Sequence, residues 1–141
     1  MVAKLLCYTD GASRGNPGAA GIGFLLVNAE SGGVLAEEAR SIGVATNNEA
    51  EYRALVAALE AALAYAPREV AHYSDSELLV RQLNGQYRLR AENLRPLLAR
   101  VEEARTRFER VSHAHVPRTH PMIARVDAAV NRALDRAARG F

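Results

Sequence analysis

Apolar residues along this chain recur with two different periods, and the changes of period divide it into elements. Leu5 to Thr9 is apolar on both faces, the pattern of a central strand covered on both sides. The Gly- and Pro-bearing stretch from Gly11 to Gly18 predicts a turn or loop. Ile22 to Val27 and Gly33 to Ile42 predict two further strands, with Asn28 to Gly33 as their hairpin connection. The spacing then changes to that of a helix. Thr46 and Glu49 stand as in a capping box, and Tyr52, Leu55, Val56, Leu59 and Leu63 form an apolar stripe in Ala-rich filling that ends at Pro67. Val70 to Ser74 reads as a short strand, and Ser76 as the cap of a short helix that stops near Gly85. Leu94, Leu97, Leu98, Val101 and Phe108 mark a third helix, in which Pro96 is tolerated because it lies in the first turn. Val111 to Val116 is a fifth strand, and a last helix from near Pro121 buries Ile123, Val126, Val130 and Leu134.

The order is three strands, then helix–strand–helix twice. Early strands joined by short turns form an antiparallel meander, and strands reached through helices add in parallel. The expected fold is α/β: a mixed five-stranded sheet, three strands antiparallel and two added in parallel, flanked by helices. Without an internal repeat, low-complexity tract or linker, residues 1–141 read as a single domain.

Composition narrows the classes. Hydrophobic residues make up 49% of the 141 and charged residues 24%, which is globular and not disordered. The 18 Lys and Arg barely exceed the 16 Asp and Glu, a balance that permits a phosphate-bearing partner without demanding one. A single cysteine, Cys7, excludes an internal disulfide, reads as a core residue of the first strand and fits a reducing compartment. The apolar run at the N-terminus ends at Asp10, too soon for a signal peptide, and no stretch has the length of a membrane span. A soluble, cytoplasmic protein with no membrane contact and no obligate protein partner is expected.

Candidate chemistry gathers on four acids. Asp10 closes the first predicted strand and Asp75 the fourth, so parallel pairing of these strands would set them side by side at the carboxyl ends, where ligands bind in such sheets. Glu51 lies in the second turn of the first long helix, and Asp127 early in the last. Clustered carboxylates repel one another unless a cation joins them, and oxygen donors without His or Cys suit Mg2+ or Mn2+. Two such ions can clamp the attacking and leaving oxygens of a phosphoryl displacement. Taken singly, each acid would be read as a helix cap or a solvated charge.

The motifs around these acids occur together and in order. Tyr8-Thr9-Asp10-Gly11-Ala12-Ser13-Arg14-Gly15-Asn16-Pro17-Gly18 closely resembles the first motif of the type 1 ribonuclease H family. Thr46-Asn47-Asn48-Glu49-Ala50-Glu51 is similar to its second, and Tyr73-Ser74-Asp75-Ser76 to its third, so the resemblance covers essentially the whole chain. It implies that Asp10, Glu51 and Asp75 match three of the family's four metal-binding carboxylates, with Asp127 the best match to the fourth; Asp135 lies about two turns further on. Two Mg2+ ions (or Mn2+) would activate a water and stabilise the leaving 3′ oxygen, so that the RNA strand of an RNA–DNA hybrid is cut to 5′-phosphate and 3′-hydroxyl ends. Asn16, Thr46, Asn47 and Asn48 match positions lining the substrate groove, where RNA is read through its 2′-hydroxyls.

The fourth motif departs from the pattern. His115-Val116-Pro117-Arg118 resembles the signature of a compact subgroup with Arg in place of a mobile His, but the stretch from Thr119 to Asp127 is two residues longer and lacks the usual Asn. Whether Arg118 or His120 assists turnover stays open. The connection from Gln86 to Glu92, with Arg88 and Arg90, holds no basic Trp-bearing handle, so binding should be weak and strongly salt-dependent. His113 and His115 share a strand face and read as surface or groove-edge residues, and the arginines of the last helix (Arg125, Arg132, Arg136, Arg139) as a solvated face. The alternatives are a binding module of this fold with weakened catalysis, or a nuclease for double-stranded RNA or branched DNA.

Overall fold

The computed structural model describes residues 2–89 and 91–140; Arg90, part of the short connection, lies outside the described residues. Five strands form one sheet in the order β3-β2-β1-β4-β5. They are β1 (Lys4–Gly15), β2 (Gly18–Asn28), β3 (Val34–Ala45), β4 (Glu69–Ser74) and β5 (Arg110–His115). The helices are α1 (Asn47–Ala62), α2 (Glu77–Leu83), α3 (Arg95–Arg105) and α4 (Pro121–Ala138). The first three strands are antiparallel, while β1–β4 and β4–β5 are parallel. This is the mixed sheet that the alternation of periods predicts. No helix among the described residues is long and apolar enough to cross a membrane.

Local chemistry starts and stops these elements as expected in most places. Thr46 Oγ1 accepts from the Glu49 N–H at 3.1 Å and Glu49 Oε1 accepts from the Thr46 N–H at 2.9 Å, closing the capping box of α1. Leu63 falls just past the α-helix in a 3-10 turn, and Ala66 leaves it in the left-handed region at φ 45°. Ser76 caps α2 by accepting from the Leu79 N–H. Phe108 lies beyond the end of α3 yet packs in the core.

One element differs. Residues 11–15 were expected in a loop, and Asp10 at a strand end, but β1 continues to Gly15 and the reversal is confined to Asn16 and Pro17. The small residues of this stretch form a ladder with β2, from Gly11↔Ile22 to Gly15↔Gly18. Once a partner strand satisfies their backbone groups, the conformational freedom that marks them as a loop no longer decides the outcome.

The two faces of the sheet are covered by different elements. Leu5, Cys7, Phe24 and Leu26 face α1, α2 and α3 and meet Tyr52, Leu55 and Leu59 in a dry cluster. Tyr8, Leu25 and Val27 face α4 and its stripe of Ile123, Val126, Val130 and Leu134. That helix rides close to β2, because Gly21 and Gly23 present no side chain to it. A Cβ on Gly23 would stand 2.7 Å from Val130 Cγ2 and 3.1 Å from Val126 Cγ1. Gly23→Ala should therefore cost about 1–3 kcal/mol, the usual cost of overpacking. Urea unfolding checks this, with Val130→Ala in the same background expected to recover part of the loss. Equal stability of Gly23→Ala and the parent would show that α4 is free to move away.

Candidate functional site

Parallel pairing sets the first two acids together. β1 and β4 are in register as far as Tyr8↔Tyr73, and Asp10 and Asp75 each follow two residues later at the same end of the sheet. Glu51 comes from α1, which touches β1 at Gly11. A Cβ there would lie 2.3 Å from the Ala50 carbonyl carbon, so only glycine allows the contact. The Gly11 N–H donates to Glu51 Oε1, and the nearby Ser74 and Ser76 hydroxyls favour its ionised form. Asp127 comes from the second turn of α4 with its side chain within hydrogen-bonding reach of Asp10. All four predicted acids are thus brought together, from four separate elements.

Their mutual influence is visible in their protonation. Burial, then the charges of Glu51, Asp75 and Asp127, push the Asp10 carboxyl far above the carboxylate range. Burial and Asp75 raise Glu51 to about 8, against the lowering by its Gly11, Ser76 and Ser74 donors. Asp75 is raised by burial and by Asp127, with Arg118 pulling the other way. Ionised carboxylates only accept hydrogen bonds, so Asp10 and Asp127 can bond each other only through a retained proton. Asp10 Oδ2 is buried and has no donor. Among the described residues no three acid, His or Cys side chains are already drawn into a ligand cage. The donor set nevertheless fits a hard divalent cation, which would satisfy the orphaned oxygen and offset the repulsion.

The two candidates of the irregular fourth motif are placed differently. Arg118 is exposed and its charge acts on Asp75. His120 caps α4, its Nδ1 accepting from the Met122 N–H at 3.2 Å, and its ring lies 5.3 Å from that of Tyr8. The groove candidates surround the N-terminus of α1. Asn16 Oδ1 accepts from the Asn47 N–H at 3.1 Å, and Asn47 Oδ1 accepts from the Ser13 N–H at 2.7 Å. Thr46 is the cap itself, and Asn48 is exposed on the first turn. Asp135 stands apart, paired with Arg14 at 2.8 Å. Gly11, Ser74 and Ser76 stand next to Asp10 and Asp75 in the sequence, and that adjacency is the one signal of their supporting roles.

His113 is not at the surface. It is buried on β5 with its Nδ1 2.8 Å from His72 Nδ1, while His72 Nε2 is 2.8 Å from Thr9 Oγ1. Only His115 is exposed as expected. The strand face that carries both histidines is covered near His113 by α2, whose C-cap residue Asn84 donates to the His113 carbonyl at 3.0 Å. Burial holds both rings neutral, with His113 lowered to about 4 and His72, also facing His113, lowered well below the ordinary value.

Comparison with known proteins gives a consistent answer. A family model described as reverse transcriptase-like matches residues 8–133. The chain is 46% identical over 134 residues to the ribonuclease HI of Halobacterium salinarum, covering 95% of this chain and 66% of that protein. The N-terminal RNase H domain of Rv2228c from Mycobacterium tuberculosis superposes with a TM-score of 0.91 at 38% identity, covering 98% of both chains. This chain spans only 37% of the full mycobacterial bifunctional protein. LC11-RNase H1, solved in complex with an RNA/DNA hybrid, superposes at 0.87 with 36% identity, covering 95% of this chain and 99% of that one.

The raised carboxyl groups set the sign of a pH effect. A carboxyl that titrates higher when folded than when unfolded contributes most stability below its unfolded pKa, and loses it as pH rises through the folded value. In chelator, stability should fall between about pH 4 and 9, and Asp10→Asn should flatten that fall. The substitution should gain on the order of 2 kcal/mol at pH 8 and little near pH 4, because it removes a charge that burial and three neighbours oppose. Denaturant titrations at the two pH values check it, and an Asp10→Asn protein less stable at both would contradict the electrostatic account.

Proposed function

Because the chain belongs to the type 1 ribonuclease H family, we propose that it is an endonuclease hydrolysing the RNA strand of RNA–DNA hybrids. The observation that carries this reading is the convergence of Asp10, Glu51, Asp75 and Asp127 from four elements onto one buried, mutually repelling cluster. The named activity of the Halobacterium relative and the hybrid bound to LC11-RNase H1 support it.

These four side chains would hold two divalent cations, Mg2+ or Mn2+. The chemistry such ions supply is activation of a water and stabilisation of the leaving oxygen in an in-line displacement at phosphorus. A P–O bond forms to the water, the bond to the 3′ oxygen breaks, and the products are 5′-phosphate and 3′-hydroxyl ends. Glu51 is held for this by the Gly11 N–H, with the Ser74 and Ser76 hydroxyls favouring its ionised form. Asp10, at the centre, is the acid to which all three others couple.

The hybrid would lie across the N-terminus of α1. Asn16 and Asn47 each accept a backbone N–H through Oδ1 at this junction, and Thr46 caps the helix. Their amide and hydroxyl groups suit the 2′-hydroxyls and sugar edges of a wide minor groove. The two turnover candidates are Arg118, whose charge acts on Asp75, and His120, whose Nδ1 caps α4 and leaves Nε2 for a proton.

The test is cleavage of one labelled hybrid beside matched double-stranded RNA and double-stranded DNA, in Mg2+, Mn2+ or chelator. Metal-dependent loss of the hybrid's RNA strand alone is expected, with Asp10→Asn slower by roughly 10³-fold or more, as for loss of a group that acts in the transition state. Intact RNA with either metal, or equal cutting of double-stranded RNA, would sink the reading.

A further inference from the structure

Away from the acids, a small cleft opens between α1, α3 and the sheet. It holds about 100 Å³, with Ile22 and Val56 among its apolar lining and Arg40, Arg53, Arg100 and Glu60 as its charges. The three arginines come from three elements, β3, α1 and α3, and face a single carboxylate within the cleft. Glu60 is held by Arg100 at 2.9 Å. Arg40 reaches only Glu38, on its own strand at 3.5 Å and itself half-exposed. Arg53, partly buried, makes no ion pair among the described residues. Its neighbour one turn back, Glu49, accepts from the Thr46 N–H of the capping box and also feels the Arg53 charge. The lining itself carries three guanidinium groups to one carboxylate beside an apolar wall, an excess of positive charge that attracts an anion.

Guanidinium groups present forked donors that match the oxygens of a phosphate. Position adds a second argument. Arg53 is seven residues along α1 from Thr46, a rise of about 10 Å, which is roughly the advance of three nucleotides along one strand. A strand seated at the first turn of α1 and continuing along the helix would bring a backbone phosphate to the cleft. We propose that this cleft is a second phosphate-binding site, taking a backbone phosphate of nucleic acid that extends beyond the cleavage groove. It rests on the hybrid-nuclease reading above, and it replaces part of the grip that a basic handle would provide.

The experiment compares the whole protein with Arg53→Gln and with the double variant Arg40→Gln/Arg53→Gln on two hybrids. One hybrid is just long enough to fill the groove, and the other is several base pairs longer at each end. On the long hybrid KM should rise about three- to tenfold with kcat unchanged, and the salt dependence should become shallower by about one unit of log–log slope per lost contact. On the short hybrid both variants should match the parent, and Glu60→Gln should lower KM on the long one alone. Thermal midpoints, expected to stay close to the parent's, separate binding from folding. Variants that match the parent at both lengths overturn the second site, as does an equal loss on the short hybrid. Competition by inorganic phosphate with no change in salt slope would mark a site for the free anion and overturn the nucleic-acid assignment. A parent protein that neither binds nor cuts any hybrid defeats the hybrid-nuclease reading itself, which the other outcomes leave standing.

Discussion

The site depends first on a backbone contact, the approach of α1 to β1 at Gly11. No side chain fits between Gly11 and the Ala50 carbonyl, so the two backbones meet directly and the Gly11 N–H can reach the Glu51 carboxylate. That contact fixes the angle at which α1 leaves the sheet. It also places the groove candidates, because Asn47 bonds both Ser13 and Asn16 across the same junction. A methyl group at residue 11 would displace all of them at once.

Against this rigid junction stands an electrostatic demand. Four carboxylates share one end of the sheet, and burial gives them little help from water. The apolar packing on both faces has to offset that demand in the absence of a cation. The glycines of β2 contribute by letting α4 settle close, where its stripe of Ile123, Val126, Val130 and Leu134 is almost fully covered. Packing that holds acids together against their repulsion leaves them ready for a divalent ion, because little reorganisation is needed when one binds.

Much of this was legible in the residues. Period and capping located every strand and helix, since each apolar stripe has one face to bury and one arrangement that buries it. The four acids were legible because each sits beside a motif or at an element end. Three features were not. The extension of β1 through residues 11–15 reads as a loop, since glycine is conformationally free until a partner strand is supplied. The burial of His113 depends on α2 covering that part of the sheet, which no pattern within β5 encodes. The arginine cleft is assembled from β3, α1 and α3, whose residues are at least 13 positions apart in the chain (Arg40 to Arg53) and meet only in the tertiary structure.

The strand order has a consequence for synthesis. Asp10 is made early, Asp75 joins it only when β4 pairs with β1, and Asp127 arrives on the last helix of the fold. On the ribosome, the first three elements form a meander of local contacts that needs nothing downstream. Only Asp127 waits until α4 emerges and docks, when the apolar stripe of that helix becomes available with it. A nascent chain therefore adds the last of the four acids together with the helix whose apolar stripe helps to hold it there.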